Sequence, residues 1–96
     1  MIYWIIHRKK QNIPKQLFYE NCQTHKTIYG QTPLMEWIIH RCGEPIPDEL
    51  YYPGWQTDHD NDKKTPLMIW IWWRTDETIP DNLFYDNCGA DVDIKN

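Results

Sequence analysis

Thr32-Pro33-Leu34-Met35-Glu36-Trp37-Ile38-Ile39-His40-Arg41 decides how this chain is to be read, because the pattern returns 33 residues later as Thr65-Pro66-Leu67-Met68-Ile69-Trp70-Ile71-Trp72-Trp73-Arg74. Thr is a good helix N-cap and Pro a good first helical residue, so a helix is expected to start at Pro33. Leu34, Trp37, Ile38 and Arg41 then fall at i, i+3, i+4 and i+7, along one side of it. Gly43 stands where a left-handed residue would stop it. Pro47 is expected to open a second helix, with Asp48 and Glu49 near its positive end and Pro53-Gly54 closing it after roughly two turns.

Extending the comparison backwards brings a third copy into register. Trp4, Trp37 and Trp70 coincide, as do Ile5, Ile38 and Ile71, and Arg8, Arg41 and Arg74. Further along come Ile13, Ile46 and Ile79; Pro14, Pro47 and Pro80; Leu17, Leu50 and Leu83; and Tyr19, Tyr52 and Tyr85. Seven positions are therefore identical in all three copies, with no gap. A period in this range is the signature of stacked repeats. The units are residues 1–31, 32–64 and 65–96 of a single repeat domain, the first lacking its Thr-Pro start because Met1 falls at the phase of Leu34. Helices this short are marginal alone, so each unit must lean on its neighbours. Gln23 to Gln31 and Gln56 to Lys64 are polar and are expected to join the units as loops or hairpins.

The 33-residue period, the Thr-Pro-Leu start and the helix–turn–helix–loop order resemble the ankyrin repeat family across all three copies. Gly89-Ala90-Asp91-Val92-Asp93 is also similar to the turn by which ankyrin repeats leave their second helix. Met35 and Met68 stand in place of the family's usual His, and Trp37-Ile38 and Trp70-Ile71 in place of its small inner-face residues. The resemblance thus implies a divergent subtype with altered helix spacing: an all-α solenoid of helix–turn–helix units. It also implies a non-catalytic scaffold binding protein partners through loop tips and the concave face of the first helices.

Composition narrows the alternatives. Ninety-six residues leave room for only a thin core. Fourteen acidic against ten basic residues give a net charge of −4, which argues against a phosphate-bound nucleic-acid partner. The apolar run Pro66 to Trp73 is too short to cross a bilayer. Three cysteines and no export signal point to an intracellular, cytoplasmic protein. The units differ in sign: residues 1–31 carry five basic residues and one acidic, residues 32–64 three and seven, and residues 65–96 two and six. That asymmetry fits either plain solvation or electrostatic steering of an encounter.

Repetition also sorts the residues by role. Those kept at one phase (Trp4, Trp37, Trp70, Ile38, Ile71, Pro47, Pro80, Leu50, Leu83, Tyr52 and Tyr85) are read as architectural. Arg41 and Arg74 sit at helix ends, where the dipole and a stack on Trp37 or Trp70 would hold them, although a ligand-binding role fits the same phase. The third helix is apolar all round, so it is either covered by a following repeat or is a partner patch anchored by Trp72 and Trp73. The contact surface expected here is Glu36, Ile39 and His40 with Ile69, Trp72 and Trp73, plus the loop tips His25 to Tyr29 and His59 to Asp62. A structural spacer in a longer array, or a module that self-associates through uncapped ends, are the alternatives.

Site chemistry is sparse. Asp58-His59-Asp60-Asn61-Asp62 hints at a calcium loop, but Lys63 occupies the sharp-turn Gly position and Ile69 that of the bidentate Glu. Cys22 with His25, and His40 with Cys42, have metal-like gaps but no second pair to complete four ligands. No nucleophile elbow, phosphate loop or carboxylate pair is present, so no catalytic residue, metal or cofactor is expected. Cys22, Trp55 and Cys88 share a phase read as a partly buried turn end.

Overall fold

A computed structural model describes residues 1–86, 88 and 89 of the chain. Among these the regular structure is entirely helical, with α1 at Ile2–His7, α2 at Pro33–His40 and α3 at Pro66–Trp73. Short 3-10 turns lie at Lys15–Leu17, Cys22–Thr24, Asp48–Leu50 and Asp81–Leu83.

Both Thr-Pro starts behave as the local chemistry requires. Thr32 and Thr65 are extended N-caps, and Pro33 and Pro66 lead their helices. The Thr32 hydroxyl accepts from the Met35 N–H at 3.3 Å, while the Thr32 N–H points back to Met35 Sδ at 3.5 Å. A thioether thereby takes the reciprocal role that Glu or Gln fills in a capping box. Gly43 and Gly54 are left-handed, with φ of +81° and +85°, and Asn21 adopts the same conformation at the Gly54 phase. Asn87, at the same phase as Asn21 and Gly54, and the turn resembling the ankyrin one from Ala90 onward lie outside the described residues.

The second helix is the main correction. Pro47 is the extended N-cap of a single 3-10 turn, Asp48–Leu50, and Tyr51 is already extended at ψ 145°. The reason lies in the spacing of anchors. Each unit has one buried leucine here, Leu50 or Leu83, or the half-buried Leu17. The positions three and four residues on are Pro53 and Gly54, Glu20 and Asn21, or Asp86 and Asn87. With no apolar residue three or four positions after the leucine, nothing at helical spacing offsets the cost of continuing the helix. Pro53 adds its own bias by pushing Tyr52 out of the helical region.

The core runs through the three helices. Ile5, Leu34, Met35, Trp37, Ile38, Leu50, Leu67, Ile69, Trp70 and Leu83 are buried together. Helix α2 packs against both α1 and α3. Each joint is tied by an arginine reaching back across it. Arg41 Nε donates to Ile5 O at 2.8 Å and Arg74 Nε donates to Ile38 O at 2.9 Å. Their guanidinium groups lie over Trp37 and Trp70, each 4.3 Å from the ring centroid. The stack expected from the sequence is present, and the arginines also have main-chain destinations that local spacing did not reveal.

The loops repeat in the same rhythm. Thr27 N–H donates to Gln31 O and Gly30 N–H to Thr27 O; one period on, Asp60 N–H donates to Lys64 O and Lys63 N–H to Asp60 O. Both connections are tight turns, and the described residues contain no strand.

Candidate interaction surface

The helix residues expected to form one contact face divide into buried and exposed sets. Glu36 and Ile69 are buried at 4% and 1% exposure, so they cannot meet a partner. They share a phase that is sealed on α2 and α3 but open at Tyr3 on α1, which hydrophobic patterning alone did not reveal. Ile39 and His40 are half-buried. His40 Nε2 lies 3.0 Å from Glu36 Oε2. Burial lowers the His40 pKa, assisted by the positive charges of Lys9 and His7. Burial also raises the Glu36 carboxyl above its ordinary value. The pair is thus biased towards its uncharged forms.

On α3 the outer side is open. Ile71, Trp72 and Trp73 are exposed at 43%, 61% and 50%. Ile71 shares its repeated phase with Ile5 and Ile38, which are sealed at 0%. The difference is one of neighbours: α1 and α2 each have a following helix over this phase, whereas nothing among the described residues covers it on α3. Lys64 Nζ sits 4.4 Å from the Trp72 ring centroid, a cation–π contact that steadies the indole.

The two loop tips are brought together. Lys26 Nζ donates to Asp58 Oδ1 at 2.7 Å and to His59 O at 3.0 Å. Asn61 donates from its backbone to Tyr29 O and from Nδ2 to Ile28 O. His25, Tyr29, His59 and Asp62 are exposed around this junction. His25 is engaged by Tyr19 through Nδ1, and one period on Tyr52 donates to Asp58. Burial, then the Asp58 hydrogen bond and charge, push the Tyr52 hydroxyl pKa strongly upward. For Asp58, burial opposes ionisation, but the hydrogen bonds from Lys26, Tyr52 and the His59 N–H, with the Lys26 charge, leave its carboxyl below the ordinary range. Asp60, in the segment that hinted at calcium, is buried and accepts from the Asp62 and Lys64 N–H groups at 2.9 Å each. That carboxylate is the turn's own cap.

Among the described residues no group of three or more His, Cys, Asp or Glu is placed to hold a metal ion, and no helix is long and apolar enough to cross a membrane. Cys22 is buried, while Trp55 and Cys88 are half-buried at the same phase, as their repetition suggested. Two open grooves of about 660 and 570 Å³ also recur with the period. Ile13, Phe18 and Trp37 line one, and Ile46, Tyr51 and Trp70 line the other.

Ile28, inside the expected loop tip, is 85% exposed; among exposed residues outside the expected contacts, Tyr3 on α1 is 78% exposed and Arg8 has its guanidinium 5.2 Å from the Trp4 ring centroid. Arg8 carried a usable signal, since it shares the phase of Arg41 and Arg74. Comparison with family models, with curated proteins and with solved structures finds no match to this chain.

Proposed function

We propose that the chain is a non-catalytic protein-interaction scaffold. In this reading three divergent ankyrin-like units stack side by side, each second helix reduced to a 3-10 turn, and the array offers apolar surface to a protein partner. The observation that carries it is the contrast at one repeated phase: Ile5 and Ile38 are sealed, while Ile71 is exposed beside Trp72 and Trp73. The recurrence of the arginine joint after 33 residues supports stacking, since Arg41 and Arg74 reach the carbonyls of Ile5 and Ile38. A rigid row of helices holds such side chains at fixed spacing, so little ordering entropy is lost on association.

The test is the double variant Trp72→Ala, Trp73→Ala. Both side chains are exposed, so the far-UV circular dichroism should match that of the parent. A partner isolated with the parent chain should bind the variant about 30-fold or more weakly, the loss typical of removing a tryptophan anchor. Unchanged affinity with an intact fold would refute the patch.

A further inference from the structure

We propose that the open face of α3 receives α1 of a second copy of this chain, head to tail, with Arg8 of the incoming copy donating to the carbonyls of Trp70 and Ile71. This rests on the stacked-unit reading above and names a partner for the same surface.

The molecule contains the intended joint twice. At the first, Arg41 donates to Ile5 O and, from Nη2, to Trp4 O at 3.4 Å. At the second, Arg74 donates to Ile38 O and, from Nη2, to Trp37 O at 3.1 Å. Moving the pattern by one period in each direction leaves two unmatched halves. Arg8 has the donor's place, yet its guanidinium reaches no carbonyl among the described residues. Trp70 and Ile71 have the acceptors' place, yet no guanidinium reaches theirs.

The side chains tell the same story. On the incoming side, Tyr3 is 78% exposed where Glu36 and Ile69 are buried. On the receiving side, Ile71 is 43% exposed where Ile5 and Ile38 are at 0%. Charge favours the same orientation. Residues 1–31 have a net charge of +4 and residues 65–96 of −4, with Arg8, Lys9 and Lys10 just past α1 and Asp76 and Glu77 just past α3. Opposed ends attract in the head-to-tail sense and repel in the head-to-head and tail-to-tail senses.

One substitution sets the strength. Glu44 and Glu77 each fix their arginine and accept a backbone N–H from the preceding unit, Lys10 N–H for Glu44 and Gly43 N–H for Glu77. Gln11 stands at that phase in the incoming unit. A neutral amide cannot form the ion pair, so the intermolecular joint is weaker than the internal ones and depends on concentration. The contact is heterologous, so it extends into short rods instead of closing as a dimer.

Two variants separate the halves. Arg8→Ala removes the donor and keeps the receiving face; Ile71→Asp spoils the receiving face and keeps the donor. Both positions are exposed, and circular dichroism verifies the fold. Mass measured by sedimentation over a concentration series in low salt should rise for the parent chain and fall back in high salt. Each variant alone should associate about tenfold or more weakly, as expected on losing charge-assisted hydrogen bonds or burying an unpaired carboxylate. Mixed together, the two should form a one-to-one dimer that grows no further. A parent chain that stays monomeric, variants that associate like the parent, or a mixture that stays monomeric would each overturn the proposal. If the parent is monomeric while Trp72 and Trp73 still hold another protein, self-association fails and the scaffold reading stands.

Discussion

Arg41 shows what one side chain contributes to this fold. It is fully buried, and burying a guanidinium is costly unless its donors are used. Here they are: Ile5 O, Gln11 O, Trp4 O and Glu44 Oε1 all accept from it. Arg41→Ala strands those acceptors in the joint between α1 and α2, at an expected cost of about 3–5 kcal/mol. A chain of this length holds on the order of 5–14 kcal/mol in total. Urea denaturation should therefore show a large fall in midpoint, and a midpoint within experimental scatter of the parent's would contradict the tie. Arg41→Lys should recover little, because a single ammonium cannot span the fork of acceptors. The recurrence of arginine was visible in the sequence, but its destination was not. Its main-chain acceptors lie between 30 and 37 residues back in the chain, and periodicity within one helix carries no information about reach across a joint.

Helix starts were legible for the opposite reason, because a Thr-Pro pair acts within its own turn. The two starts nevertheless differ in strength. Thr32 caps Met35 N–H, whereas the Thr65 hydroxyl makes no cap bond and lies 3.5 Å from the Tyr85 hydroxyl. Thr32→Ala should lower stability by about 1 kcal/mol. Thr65→Ala should lower it by clearly less, and thermal melts of the pair decide whether the cap is the cause. The expected second helix stops after one 3-10 turn because capping residues are present without anchors to continue it. Propensity at a terminus says where a helix can begin, while spaced apolar residues decide whether it goes on. Loop glycines divide in a similar way. Gly30 has φ +80°, and an added Cβ would come within 2.8 Å of Asn61 N; Gly54 has φ +85° with open space around it. Gly54→Ala should cost only the conformational penalty, about 1–2 kcal/mol. Gly30→Ala should cost distinctly more, since it also separates the two loop tips. Equal losses of melting temperature in the two variants would mean that the tips are not locked together.

Across the whole molecule the joints between helices are similar in design and unequal in content. The phase that buries Ile69 on α3 buries Glu36 on α2. The exposure of Trp72, Trp73, His25, Tyr29, His59 and Asp62 was legible in the sequence, whereas Asp60 within the second tip is buried. The misplacement of Glu36 and Ile69 reflects a missing direction: periodicity finds the faces of a helix but does not say which one its predecessor covers. The buried carboxyl has a consequence for stability. Its pKa is raised above 4.5 by burial, so its favourable contribution is full below that value and is lost as the pH rises through the higher folded one. His40 does not compensate, because burial and the charges of Lys9 and His7 lower its pKa and favour the neutral ring near pH 7. Glu36→Gln keeps an oxygen acceptor facing His40 Nε2 and removes the charge. The variant should therefore melt a few degrees above the parent at about pH 7.5, and the gap should narrow as acidification protonates the Glu36 carboxyl. A variant less stable than the parent at the higher pH would show that the carboxylate strengthens this joint and that His40 is protonated beside it.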